Sequence, residues 1–216
     1  MKHWSDYKNI IFDLDGTLID SMGIWREIDM KFLNKRNIEM PEKLFAGLPS
    51  NNLNDTALYL KERFQLPDTV EEILSEWHQN MLQHYEKSIG LKPFVSDFVQ
   101  KLKESDKVLA VGTSNSRALT EIILSRFGLL GHFATIVTGC GDIKGKPLPD
   151  IYLKVAENLK VEPAECLVFE DSLPGVQAAK NAGMTVYAIA DPSAEKYKEK
   201  IISIADRYFT CYSQLM

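Results

Sequence analysis

The sequence predicts a two-part α/β fold, a parallel sheet covered by helices and interrupted by a helical insert. Three observations predict it. Short, continuously apolar runs alternate with helix-period segments along most of the chain. Clusters of acidic and hydroxyl side chains follow several of those runs directly. The interval between the first two runs is far longer than the roughly dozen residues that a parallel crossover needs.

The runs are Asn9-Ile10-Ile11-Phe12, Val108-Leu109-Ala110-Val111, Ala134-Thr135-Ile136-Val137, Cys166-Leu167-Val168-Phe169 and Thr185-Val186-Tyr187-Ala188-Ile189. Unbroken hydrophobicity of this kind marks strands buried on both faces. Tyr208-Phe209-Thr210 is expected to pair at the sheet edge and carry no function. Between the runs, Val95, Phe98, Val99 and Leu102 share a helical face, as do Leu119, Ile122, Ile123 and Phe127. Gly128 is placed to end the second of these in a left-handed cap. Tyr152, Val155, Ala156 and Leu159 form a third stripe. Pro174 through Gly183 outline a fourth helix, with proline in its first turn and glycine after its last.

Much of the long interval also reads as helix. Trp25, Ile28 and Phe32 form one stripe, and Leu53, Ala57, Leu60 and Phe64 form another. Thr69 and Glu72 make a capping box before a face carrying Val70, Ile73, Leu74, Trp77, Met81 and Tyr85. Residues 19–90 are therefore expected to form a helical cap domain, and residues 1–18 and 91–216 the α/β core.

Composition narrows the function. The chain has 216 residues, 45% hydrophobic and 25% charged, ordinary for a globular protein with a sizeable core. A net charge of −5 argues against nucleic-acid binding, which needs clustered Lys and Arg. A small anionic ligand is compatible with it, because one local lysine and a bound cation reverse the field inside a cleft. Cys140, Cys166 and Cys211 match neither a disulfide framework nor a zinc site, and read as small buried hydrophobes. The start lacks a secretory apolar stretch and no apolar run reaches membrane length. A cytoplasmic monomer without membrane attachment is expected.

Four segments carry chemistry. In Phe12-Asp13-Leu14-Asp15-Gly16-Thr17, two carboxylates two residues apart in extended chain point to one side. They stand at the carboxyl end of a strand, where open parallel sheets gather ligands. A solvated Asp-Gly turn is the plain alternative. Val111-Gly112-Thr113-Ser114-Asn115-Ser116 offers the Thr113 hydroxyl to a phosphoryl oxygen, though Asn115 or Ser116 also suits a helix cap. Lys144-Gly145-Lys146-Pro147-Leu148-Pro149-Asp150 fixes a loop around Lys146, whereas Lys144 reads as a solvated charge. Phe169-Glu170-Asp171-Ser172 places adjacent acids at a strand end; a helix N-terminus alone explains Asp171 equally well. Together, the four segments would crowd several carboxylates into one cleft, which demands a cation. Oxygen ligands with open positions suit Mg²⁺.

These segments, in this order, resemble the four motifs of the haloacid dehalogenase superfamily, in its phosphatase and β-phosphoglucomutase-like branch with a helical cap. The resemblance covers nearly the whole chain and implies a Rossmann-like parallel sheet flanked by helices, with an inserted cap. It implies a Mg²⁺-dependent phosphatase acting on a small phosphorylated metabolite such as a sugar phosphate. Asp13 would be the nucleophile and Asp15 the general acid and base, with Thr113 and Lys146 completing the catalytic set. Phosphate contacts would come from Asp13, Leu14, Asp15, Thr113, Ser114, Asn115 and Lys146. The metal would take Asp13, the backbone carbonyl of Asp15 and Asp171, with Glu170 as a further or outer acid. The cap would flex near Leu18–Asp20 and Ser88–Pro93.

A sugar phosphomutase shares every core motif. Mutases of that kind carry an arginine in the first cap loop and a histidine in the first cap helix. Here the loop is Ala46-Gly47-Leu48-Pro49-Ser50-Asn51-Asn52 and the histidine is replaced by Trp25, both of which favour hydrolysis. A dehalogenase or phosphonate hydrolase is disfavoured because Asp15 is present. A non-catalytic phospho-ligand sensor would be expected to have lost a catalytic group, and none is missing. Asp20, Ser21, Trp25, Arg26, Ser50 and Asn51 are candidate substrate contacts. Each has a plainer role: Trp25 in the cap core, Arg26 on a solvated face, Ser21 as a helix cap.

Overall fold

The computed structural model describes residues 3–41, 44, 52–139 and 143–216. Six strands, β1 (Asn9–Phe12), β2 (Val108–Thr113), β3 (Phe133–Thr138), β4 (Cys166–Glu170), β5 (Thr185–Ile189) and β6 (Arg207–Phe209), form one sheet. All neighbours are parallel and the order is β3-β2-β1-β4-β5-β6. The expected strands are all present, and the Tyr208 segment does close one edge through parallel pairing with β5.

Apolar side chains on β1 serve both faces, which is why the run is unbroken. Ile10 and Phe12 join one core and Ile11 the other, and all three are fully buried. On the first face, Phe12 stacks on Phe169 with centroids 5.0 Å apart, and Phe98 of α4 (Val95–Glu104) meets both rings edge-on. α5 (Arg117–Arg126) adds Leu119 and Ile123 to that core. The opposite face is covered by Ile151, Tyr152 and Val155 of α6 (Asp150–Leu159), Val176 and Ala179 of α7 (Leu173–Asn181), and Ile201 of α8 (Lys198–Ile204). β3 departs from the expected two-sided burial. It is an edge strand with a neighbour on one side only, so Ala134 is exposed and Ile136 half-buried.

Gly128 follows α5 with φ +69°, and Gly183 follows α7 with φ +79°, the left-handed conformations their positions predicted. Between β1 and α4 lie α1 (Met22–Asn34), α2 (Leu53–Phe64) and α3 (Val70–Lys87). The Thr69–Glu72 capping box opens α3, whose buried face carries Ile73, Trp77, Met81 and Tyr85. The segments leading into and out of these helices run side by side. Ile19 bridges to Leu91, Asp20 N–H donates to the Gly90 carbonyl at 2.9 Å, and Lys92 N–H donates to the Leu18 carbonyl at 3.0 Å.

The cysteine reading needs one correction. Cys166 is buried, but Cys211 is only half-buried, because it lies beyond the last strand rather than in the sheet. Cys140, Ser50 and Asn51 lie outside the described residues.

Candidate active site

Strand register assembles the site. Phe12 lies opposite Val111 of β2 on one side and Phe169 of β4 on the other. The residues that follow these three in the chain therefore emerge together at the carboxyl edge of the central strands. Asp13 N–H donates to the Phe169 carbonyl at 2.9 Å, which ties the Asp13 backbone to β4 as the chain leaves the strand. Lys146 reaches the same point from the loop before α6. Its Nζ lies 2.5 Å from both Asp13 Oδ1 and Glu170 Oε1, and the side chain is almost wholly buried. Lys144 is exposed, as expected.

Glu170 is fully buried and its oxygens are already engaged. Oε1 accepts from Lys146 and from the Tyr152 hydroxyl at 2.9 Å. Oε2 accepts from the backbone N–H groups of Asp171 and Ser172, each at 2.9 Å, and from Ser172 Oγ. Glu170 is thus an anchor that orients Lys146 and the first turn of α7. Gly175 makes this possible: a Cβ there would lie 1.8 Å from Glu170 Oε1. Gly175→Ala is accordingly expected to destabilise the protein by about 3 kcal/mol or more, read by urea denaturation.

Oxygens of Asp13, Glu170 and Asp171 lie within 4.8 Å of one another. Burial pushes the Asp13 carboxyl up to about 7 despite the opposing pull of Lys146. Burial, then the charges of Glu170 and Asp13, push Asp171 well above the carboxylate range. Burial pulls the Lys146 ammonium down, yet Asp13 and Glu170 together hold it well above the ordinary lysine value. One ammonium among three buried carboxylates leaves negative charge uncompensated, and hard oxygen donors of this kind fit a divalent cation. Thr17 Oγ1 donates to Asp171 Oδ1 at 3.0 Å, fixing that carboxylate's orientation.

Asp15 takes a different set of partners, from the start of α1, from α3 and from the turn after β2. Its Oδ1 accepts from Ser21 Oγ at 2.6 Å, from Trp25 Nε1 at 3.0 Å and from the Tyr85 hydroxyl. Its Oδ2 accepts from Asn115 Nδ2 at 2.7 Å, and the same Nδ2 lies 2.5 Å from the Tyr85 oxygen. Burial, then the Asp15 charge, raises the Tyr85 phenol well above its ordinary value, so it stays a neutral donor. Two expectations, both for residues at the start of α1, are corrected by this network. Ser21 stands at the N-cap of α1 but makes no capping bond, spending its hydroxyl on Asp15. Trp25 is a partner of Asp15 at the cleft wall rather than a plain core residue. Asn115 bridges the two parts of the fold, while Ser116 caps α5. Tyr85 was legible only as an apolar-face residue; no sequence signal marked its hydroxyl.

Thr113 is buried beside these groups, its Oγ1 accepting from Asn115 N–H at 3.1 Å. The Ser114 hydroxyl is buried without a partner among the described residues. Both line a cleft of about 260 Å³ together with Asp13, Asp15, Lys146 and Asp171. The inserted helices contribute Met22, Trp25 and Asp29 of α1, Leu53 and Thr56 of α2, and Trp77 of α3. Asp20 and Arg26 are exposed, and neither lines the cleft. The arrangement can hold an anion against Lys146 and a cation, with the Asp13 and Asp15 carboxylates lining the same space.

The family model for haloacid dehalogenase-like hydrolases matches residues 10–189. Fructose-1-phosphate phosphatase YqaB of Escherichia coli is 31% identical over 182 residues, 82% of this chain and 94% of that protein. The bifunctional riboflavin kinase/FMN phosphatase of Arabidopsis thaliana is 34% identical over 188 residues, 87% of this chain; the chain spans only 49% of that relative. The fold is similar to that of CbbY from Rhodobacter sphaeroides in complex with phosphate. The TM-score is 0.83 at 24% identity, covering 97% of this chain and 96% of that one. A parallel sheet with acids at its central strand ends and a lysine between them agrees with that match, and the chain belongs to the haloacid dehalogenase-like hydrolase family.

Proposed function

We propose that this chain is a Mg²⁺-dependent phosphatase that hydrolyses a small sugar phosphate or similar metabolite through an aspartyl phosphate on Asp13. The broader class, phosphoric monoester hydrolase, is that of its named relatives. One observation carries the reading: Asp13 and Asp15 line one cleft, the first against Lys146 and the second among cap hydroxyls.

In the first step an Asp13 oxygen attacks phosphorus as the bond to the leaving oxygen breaks, and Asp15 gives that oxygen a proton. In the second, Asp15 takes a proton from water, which attacks phosphorus, and the acyl phosphate bond breaks to release inorganic phosphate and free Asp13. The Lys146 ammonium, the Thr113 and Ser114 hydroxyls and the backbone around Leu14, Asp15 and Asn115 hold the phosphoryl oxygens. Asp13, Asp171 and the Asp15 main-chain carbonyl would hold Mg²⁺, with Glu170 behind them. The ion, when bound, offsets phosphoryl charge that repels the carboxylate nucleophile. Ser21, Trp25 and Tyr85 position the Asp15 carboxyl from the cap. Residues 19–90 act as a closing cap that flexes near Leu18–Asp20 and Ser88–Pro93 and excludes bulk water.

Hydrolysis is favoured over phosphate transfer within a sugar bisphosphate. Among the described residues lining the cleft Lys146 is the one cation, so none of the others offers counter-charge to a second phosphate. The expected physiological setting is a cytoplasmic monomer without nucleic-acid partners; among the described residues no helix is long and apolar enough to cross a membrane.

The test is phosphate release from a panel of sugar, polyol and nucleoside phosphates with Mg²⁺ and with a chelator. Turnover is expected to require the metal, falling about a thousandfold or more on chelation. Unchanged turnover after exhaustive chelation, or conversion of β-glucose 1-phosphate to its 6-phosphate, would overturn the proposal.

A further inference from the structure

Arg126 ends α5, exposed and outside the cleft, yet it holds the residue that meets Asp15. Its Nη1 donates to the main-chain carbonyl of Tyr85 at 2.9 Å. Tyr85 stands in the last turn of α3, where helix carbonyls run out of N–H partners of their own. The N–H of Ile89, four residues on, donates instead to the His84 carbonyl at 2.9 Å, which leaves the Tyr85 carbonyl to Arg126. The Tyr85 side chain is fully buried, and its hydroxyl donates to Asp15 Oδ1 and lies 2.5 Å from Asn115 Nδ2. Core residues therefore grip Tyr85 at both ends, Arg126 at the carbonyl and Asn115 at the hydroxyl.

A basic residue in the last turn of a helix commonly serves that helix's own carbonyls. Those of α5 are served already. The carbonyls of Ile123, Leu124 and Ser125 accept from the N–H groups of Phe127, Leu129 and Gly128. The guanidinium crosses instead to α3, which packs against α5.

We infer that Arg126 is a positioning residue for Asp15, fixing the end of α3 on α5 and so setting the Tyr85 hydroxyl against the carboxyl that protonates the leaving oxygen. The inference rests on the phosphatase reading and adds to it a residue outside the cleft. The contact lies just before residues 88–93, so it holds the end of α3 next to one of the two segments proposed to flex. Proton transfer depends steeply on the placement of the acid, and a freed α3 end lets the Tyr85 hydroxyl drift from Asp15.

The test uses two leaving groups. An alkoxide needs the proton that Asp15 supplies, whereas p-nitrophenolate is a stable anion and leaves without one. A residue that acts through Asp15 is therefore felt on an alkyl phosphate and largely spared on p-nitrophenyl phosphate. The value read is kcat/KM, which stops at the first phosphoryl transfer and leaves out the later work of Asp15 on water. Mg²⁺-loaded wild type, Arg126→Met, Arg126→Lys, Tyr85→Phe, the Tyr85→Phe/Arg126→Met double variant and Asp15→Asn are compared on p-nitrophenyl phosphate and the best sugar or polyol monophosphate. On the latter, Arg126→Met should lose about fivefold to twentyfold and Tyr85→Phe about tenfold to a hundredfold. On p-nitrophenyl phosphate Arg126→Met should lose no more than about twofold. Arg126→Lys, which keeps one donor, should recover part of the loss, and adding Arg126→Met to Tyr85→Phe should cost little more. No loss in Arg126→Met, equal losses on both substrates, or full additivity with Tyr85→Phe would each overturn the inference. Equal losses in Asp15→Asn, or no turnover of any sugar or polyol monophosphate by the wild type, would sink the phosphatase reading and this inference with it.

Discussion

Replacing Asp13 by Asn is expected to remove phosphate release by about 10⁴-fold or more while leaving the fold intact. The amide has nearly the shape of the carboxylate, but its oxygen is a poor nucleophile and cannot form the acyl phosphate. Its stability effect separates this change from general damage. Burial raises the Asp13 carboxyl from the ordinary aspartate value of 3.8 to about 7. Between those values the unfolded chain ionises while the folded chain keeps its proton, so the metal-free wild type loses stability as pH rises through that window. The loss is complete above pH 7. Asn carries no such cost, so metal-free Asp13→Asn should be at least as stable as the wild type at pH 8, by on the order of 1–2 kcal/mol. Urea denaturation at pH 5 and pH 8, beside a phosphate-release assay, checks both halves. Residual turnover within tenfold of wild type would take the nucleophile's role away from Asp13.

Lys146→Met is expected to damage activity and stability together. The ammonium lies 2.5 Å from both Asp13 and Glu170, and Glu170 has no exposed surface at all. Removing it leaves buried carboxylates unpaired, which costs about 3–5 kcal/mol. Activity should fall about a thousandfold, because a fixed charge against the phosphoryl oxygens is lost. The pH dependence follows from the sign of the shift. A lysine held well above its ordinary value contributes stability that is fully present below that value and lost only at strongly alkaline pH. The deficit of the variant should therefore be steady near neutrality and shrink as pH falls and its carboxylates protonate. Lys146→Arg should rescue little, since a planar fork does not fit a point-charge position between two carboxylates. A variant as stable as wild type at pH 7.5 would refute the account of the buried triad.

The candidate site was legible in the chain because each motif is contiguous and sits at or after a strand end. Parallel strands bring such ends together without any long-range information beyond strand order. Asp13, Thr113, Lys146 and Asp171 needed only that. The Asp15 network did not yield to the same logic. Helical periodicity showed that Tyr85 and Trp77 lie on one face of α3, yet it cannot say that this face meets a carboxylate. Trp25 and Ser21 were read as core and cap for the same reason: each has a plain local role that a distant partner overrides.

Sequence alone thus determined the parallel sheet, the helical insert, the family and the chemical groups at the strand ends, because these follow from hydrophobic period and contiguous motifs. Tertiary structure decided which partners the two motif aspartates take, that Glu170 anchors Lys146, and that Trp25 and Tyr85 meet Asp15. Those are outcomes of how separate helices pack against the sheet, and packing between distant segments leaves no pattern within either segment.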